Sequence, residues 1–341
     1  MIADTLLPAA IPTFTPTSSP ELDALLDSIR AKVFVPSYLN KKQLQLVRST
    51  KAKAQLENDP VYATFGDEEI RLTHLDVTKD QPRSKVLFEF KDLAKESRDW
   101  ANLPALLEGW HHARPNTSMD LLSRLVREAS KAGQLQMIIQ CLWQVEKNGL
   151  SLANDELRFD IIDSIRSHAT KSGLGTPTKS ALRQIQTVLE LMEKPEHCGS
   201  RTISDSDPRA EPHVIGVALE LAALRANHEF GGKDEDGVVA TYFNRLISAL
   251  GQQKSEVPHS ARGRRDEQYA LHKFVHQHVP VWHALKLAKK LLGQSISAKS
   301  RQTAEKYRKD IGTKLNLRRE AAQGSSQQLG VFQEWERLRT Q

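Results

Sequence analysis

The sequence predicts an all-α protein, an α-solenoid of stacked helical hairpins with one small N-terminal β-hairpin. Three observations carry that expectation. Apolar residues recur at three- and four-residue spacing from residue 85 almost to the end. Two successive helical patterns each close on a glycine, Gly133 and Gly149. Strict alternation of apolar and polar residues is confined to residues 61–75. Residues 118–152 form the clearest unit, an αα-hairpin of about 35 residues, the size of one helical repeat. A hairpin that short cannot bury its apolar face alone and stacks on neighbours like itself.

The elements follow in order. Residues 1–18 are rich in Pro, Thr and Ser and are expected to be disordered. Residues 19–84 are expected to form a basic arm and the β-hairpin. Ser18-Ser19-Pro20-Glu21 opens a short helix to about Lys32, with Ser18 and Glu21 as a capping box and Pro20 in the first turn. Val61–Phe65 and Ile70–Leu75 alternate around a turn at 66–69. Residues 85–194 are the helical-repeat region: Lys85–Glu96, Trp100–Ala113, 118–133, Gln134–Asn148, Asp155–Thr170 and Thr178–Lys194. The acidic, Pro-containing stretch 195–212 suggests a linker. Residues 213–341 are a second helical region: His213–Asn227, Gly237–Leu250, Asp266–Leu292 with a possible interruption at Pro280, Ser297–Gln323 and Gln327–Leu338.

Length and composition bound the rest. A chain of 341 residues has room for one elongated repeat domain or two compact ones. No apolar run approaches the roughly 18 residues of a membrane-spanning helix. Two cysteines, Cys141 and Cys198, without a CxxC pair fit a reducing compartment and no disulfide framework. The N-terminal residues lack the Arg-rich, acid-poor pattern of a mitochondrial presequence and the charged start of a secretory signal.

Charge is uneven along the chain. The net charge of +6 comprises zero over residues 1–98, −4 over 99–253 and +10 over 254–341. Such polarity points to a polyanion, with RNA or an RNA-rich particle the first choice. A solvated, lysine-rich helix face is the plain alternative. Between Ser28 and Leu56 there is no acidic residue, and Lys41, Lys42, Arg48 and Lys51 are the candidate phosphate contacts there. Phe34 and Tyr38 interleave with them. The C-terminal candidates are Arg262, Arg264, Arg265, Lys286, Lys289, Lys290, Arg301, Lys306, Arg308, Lys309, Lys314, Arg318 and Arg319.

No catalytic signature is present: no nucleophile elbow, phosphate loop or dinucleotide-binding glycine pattern. A non-enzyme without a cofactor is therefore expected. His272, His276, His278 and His283 cluster, but Lys273 follows His272 where a zinc protease helix carries glutamate, so surface or RNA-facing histidines are expected rather than a metal site. Trp100, Trp110, Trp143, Trp282 and Trp335 are expected to be core anchors, and Cys141 an inert core thiol. Asp155, Glu156, Asp160 and Asp163 are expected on a solvated helix face.

Leu121, Leu122 and Leu125, with Lys131-Ala132-Gly133 and Lys147-Asn148-Gly149-Leu150, make residues 120–154 resemble a pentatricopeptide repeat. The corresponding Lys171-Ser172-Gly173 of the next unit follows 40 residues after Lys131-Ala132-Gly133. The resemblance implies single-stranded RNA binding, with repeat-code positions near Arg124 and Asn154. Arginine at the first suits a phosphate contact or a scaffold. The layout as a whole resembles the divergent helical-repeat proteins of fungal mitochondria. That likeness implies RNA, or a ribonucleoprotein such as the mitochondrial ribosome, together with other proteins as partners. It also implies a mitochondrial location, with the cytoplasm as the alternative. The competing function is a protein–protein scaffold without RNA binding.

Overall fold

The computed structural model describes residues 10–171, 176–199, 207–252, 264–322 and 330–340. It is an all-α fold with one two-stranded sheet among those residues. Two compact units divide it, Met1–Asp160 and Ile161–Gln341.

In the first unit, α1 spans Pro20–Ile29 and buries Leu22, Leu26 and Ile29. Its cap is Ser19, whose hydroxyl accepts from the Leu22 amide, and not the expected Ser18. Ser18 is drawn away because its hydroxyl donates to Asp99. The helix does not stop at Lys32. It runs through a π-helical stretch, Arg30–Phe34, into α2, Val35–Tyr38. Residues 10–18 also depart from the disorder expected of them. Ile11 is buried, the Thr15 amide and hydroxyl donate to Asn102, and the Ser18 amide donates to Asp99.

Next come α3, Lys41–Arg48, and α4, Lys53–Asn58, joined by a 3₁₀ turn at Thr50–Ala52. Strands β1, Tyr62–Phe65, and β2, Glu68–Arg71, pair antiparallel with Phe65 opposite Glu68. The turn is thus two residues, Gly66-Asp67, shorter than the four expected. Gly66 has φ +60 and Asp67 does not have positive φ, the pattern of a II′ hairpin turn. Helices α5, Val86–Leu93, α6, Ser97–Trp100, and α7, Leu103–Ala113, follow. Pro104 lies in the first turn of α7, and Trp100, expected to open that helix, instead ends the short α6.

The hairpin unit comes next. Helix α8, Met119–Lys131, is capped by Ser118 and ends at Gly133 with φ +76. The expected second helix is broken into α9, Leu135–Leu142, and α10, Val145–Asn148. At the break, the Asn148 amide donates to the Cys141 carbonyl, and its oxygen accepts from the Leu150 amide. One side chain thereby satisfies backbone groups that the interrupted helix leaves open. Gly149 has φ +73, and a Cβ there would lie 2.6 Å from His111 Nδ1, so both backbone and space demand glycine. Helix α7 packs on α9 and α10, and α5 packs on α8.

Helix α11, Asp155–Lys171, crosses the division between the units. The second unit continues with α12, Thr176–Met192, α13, Pro212–Glu229, α14, Val238–Gln252, α15, Arg264–Leu292, α16, Ala298–Ala321, and α17, Gln333–Thr340. Helix α13 is buried nearly all round from His213 to Ala223 and packs against α12, α14 and α15. Pro280 does not interrupt α15, whose buried Val275, Val279 and Val281 hold it against α13 across the missing backbone donor. The stretch expected as a linker, 195–212, lies inside this unit. Its described part is fastened by Arg209, 4 % exposed, which donates to Asp207 and to Glu193 at 2.6 Å.

Candidate nucleic-acid interface

The candidate cations sort by what else they touch. On α3, the capping box between Asn40 and Gln43 starts the helix, and Val47 is its buried anchor. That leaves Lys41, Lys42 and Arg48 exposed, with Lys51 and Lys53 exposed just beyond. None of the five forms an ion pair among the described residues. Arg30, in the same acid-free stretch, is different: it bonds Glu68 of β2 and the Pro12 carbonyl. The aromatic side chains do not join the cations. Phe34 is fully buried, and Tyr38 stacks on His112 with ring centroids 4.0 Å apart. Burial, helped by Glu108, pushes the Tyr38 hydroxyl up.

In the second unit most candidates are engaged. Lys286 donates to the Leu338 carbonyl at 2.9 Å and lies over the Trp282 ring. Lys289 and Arg308 both grip Glu305, at 2.9 and 2.7 Å. The hydrogen bond from Arg308 holds that carboxyl down at about 2 against the opposing pull of burial, with Lys289 adding to it. Arg318 lies over Phe274, Arg319 pairs with Glu336, and Arg301 donates to the Ile296 carbonyl at 3.3 Å. Lys290, Lys306 and Lys309 are exposed and form no ion pair among the described residues. Lys306 and Lys309 line a groove of about 540 Å³ with Lys289, Arg301, Glu305 and Asp310. Lys314 is exposed on α16. Arg262 lies outside the described residues. Arg264 and Arg265 open α15, but their side chains lie outside the described set.

The repeat-code positions have partners within the fold. The Arg124 guanidinium sits 4.6 Å from the Phe88 ring centroid. The Asn154 side chain accepts from the Glu156 and Leu157 amides at the start of α11.

Several charged groups are internal. Arg166 is 1 % exposed and donates to Glu220, itself fully buried, and to Glu334 of α17. Burial pushes the Arg166 guanidinium down, and Glu220 outweighs it, so the cation is held above its ordinary range. Burial likewise pushes Glu220 up, but the Arg166 charge and a hydrogen bond with His283 bring its carboxyl to about 2. His283 is therefore a core residue, and His276 is bonded to Asp163 at 2.7 Å; neither is the freely exposed histidine expected. The solvated face expected of α11 is corrected in part: Asp155 is exposed, and the two later carboxylates are not free on the surface. Asp160 is 5 % exposed and pairs with Arg127, and Asp163 faces His276. Charges on a helix look alike in sequence whether they face water or a buried partner.

Four tryptophans, Trp100, Trp110, Trp282 and Trp335, lie in the core, the last two edge-to-face at 4.6 Å. Trp143 departs from that expectation, because the helix break carries it to the surface. Cys141 is buried, and burial pushes its thiol up to about 12, which leaves it unreactive. No described helix is long and apolar enough to cross a membrane.

Comparison with known proteins places this arrangement. The family model for Mrp13, mitochondrial ribosomal protein mS27, matches residues 3–337. The small ribosomal subunit protein mS27 of Neurospora crassa is 31% identical over 226 residues, 63% of this chain. That match spans 57% of the relative's own length. The likeness extends along nearly the whole chain through the family model and supports a mitochondrial location. An all-α chain with this match belongs to the family of mitochondrial ribosomal protein mS27.

Proposed function

We propose that this chain is a non-enzymatic structural protein of the mitochondrial small ribosomal subunit that holds ribosomal RNA through phosphate contacts. The carrying observation is the run of exposed cations without ion pairs on α3 and the turn after it: Lys41, Lys42, Arg48 and Lys51. A cation already paired gains little by meeting a phosphate, whereas an unpaired one can release condensed counterions from the RNA. Lys290, Lys306 and Lys309 would form a second set of contacts. Membership in a family of mitochondrial ribosomal proteins supports the reading, as does the name of the Neurospora relative. In this reading Arg124 and Asn154 serve the fold and do not read bases.

The test is RNA crosslinking with sequencing on the tagged protein, combined with sedimentation against ribosomal subunits. Co-sedimentation with the small subunit and crosslinked peptides from residues 41–53 are expected. A protein that sediments apart from the subunit, or crosslinks to proteins alone, would overturn the RNA-holding role. The latter outcome would favour a protein–protein scaffold.

A further inference from the structure

The two-stranded sheet has open edges among the described residues. Two residues separate Phe65 from Glu68, so that pair closes the turn with mutual hydrogen bonds. One step beyond the other end of the ladder, the Leu72 amide donates to the Val61 carbonyl. Alternation between these points turns the amides and carbonyls of Tyr62 and Thr64 outward from β1, and those of Glu69 and Arg71 outward from β2. None of these backbone groups makes a hydrogen bond among the described residues. The hairpin is nonetheless well seated. Ala63 and Phe65 are buried, Glu68 pairs with Arg30, and the Leu75 amide beyond β2 donates to the Val47 carbonyl. Arg71 of β2 also reaches the Glu57 carbonyl at 3.5 Å. On β1, by contrast, Tyr62 is 54 % exposed, Thr64 is exposed, and neither side chain has a hydrogen-bond or ring partner among the described residues. Carboxylates surround this strand: Glu57 and Asp59 just before it, Asp67 in the turn and Glu69 opposite Thr64. All four are exposed and form no ion pair among the described residues.

We propose that the outer edge of β1 takes an extended, lysine- and arginine-rich segment of a second protein as a third strand of the sheet. A row of unpaired amides and carbonyls is a template for another strand, and a two-stranded ribbon gains stability from a third. The carboxylates choose the occupant. RNA phosphates would meet four like charges there. A second copy of this chain, paired edge to edge, would set the same carboxylates against one another. A basic segment satisfies both the backbone edge and the charge. Since β1 is only four residues long and Pro60 stands before it, the backbone pairing is short and the basic side chains supply much of the affinity. The inference goes beyond the RNA contacts proposed above and does not depend on them: the cations of α3 and the carboxylates of the hairpin serve different partners.

The full chain is titrated at low salt with a synthetic peptide of alternating lysine and valine, a pattern that favours an extended strand. Thr64→Pro removes one outward amide and costs the hairpin no ladder bond. It should weaken peptide binding about tenfold and leave RNA affinity unchanged, while Thr64→Val should bind the peptide within about twofold of the parent. Changing Glu57→Gln, Asp59→Asn, Asp67→Asn and Glu69→Gln together should weaken peptide binding and flatten its dependence on salt. In the assembled small subunit, a photoreactive phenylalanine in place of Thr64 should crosslink to a lysine- and arginine-rich protein segment. Peptide affinity in a folded Thr64→Pro within about twofold of the parent would overturn the proposal. So would crosslinks from position 64 to RNA, to a second copy of the chain or to nothing. The crosslink decides by itself if Thr64→Pro melts well below the parent.

Discussion

The N-terminal cations of α3 and the C-terminal cations of α15 and α16 look alike in sequence and differ in use. Residues 1–98 carry no net charge, and residues 254–341 carry +10. Yet Lys41, Lys42, Arg48 and Lys51 stand without ion pairs, while Lys286, Lys289, Arg308, Arg318 and Arg319 are bound to carbonyls, carboxylates or rings. Net charge therefore misranks the two regions as polyanion contacts. What counts is the number of cations whose partners the fold has not already supplied.

The extreme of an occupied cation is Arg166, and its loss should have the largest effect. Arg166→Met leaves Glu220 buried without its guanidinium and should destabilise the chain by about 3–5 kcal/mol, read from denaturant unfolding of the full chain. RNA affinity measured where the variant remains folded should be unchanged; a selective loss would show that occupied charge also reaches RNA. Converting Lys41, Lys42, Arg48 and Lys51 together to Gln should do the reverse. Stability should hold, and the slope of log affinity for single-stranded RNA against log salt should fall by about 3. The triple change Lys290→Gln, Lys306→Gln and Lys309→Gln should lower the same slope by about 2. A larger drop from the triple than from the quadruple change would invert the comparison. Smallest of all, Lys289→Gln removes one of two partners from Glu305 at a half-exposed pair and should cost at most about 1 kcal/mol, with little change in the salt slope.

Acid provides a separate probe of the occupied charges. Glu220 is held near 2, below the carboxylate's ordinary value, so its contribution to stability is complete above the unfolded pKa and disappears as pH falls through about 2. Asp99 behaves alike: burial pushes it up, but hydrogen bonds from the Glu96, Ser18 and Lys95 amides and the Ser18 hydroxyl bring it to about 2. Melting temperature should stay level on the acid side down to about pH 4.5 and then decline steadily toward pH 2. A decline beginning near pH 6 would point to histidine instead.

Helices were legible wherever apolar spacing was sustained, as in α8 and α12, because burial of one face selects the same residues whatever lies opposite. The hairpin glycines were legible for the same local reason: their positive φ is a property of a few adjacent bonds. The break between α9 and α10 was not, since it depends on Asn148 reaching back to Cys141 and on His111 arriving from α7 beside Gly149. Nor was the division of the cations. Whether a lysine is paired depends on carboxylates such as Glu305 and Glu336 brought in by folding, and sequence proximity reveals only part of that.

Residues 10–18 illustrate a last point. Asp99 is fully buried and Asn102 is 2 % exposed, and the groups that satisfy them come largely from Thr15 and Ser18. A proline- and threonine-rich stretch that looks like a tail is in fact a plug: it closes two polar holes over the start of α7. Without Thr15 and Ser18, the buried Asp99 and Asn102 would have to find their partners in water drawn into the interior at that point.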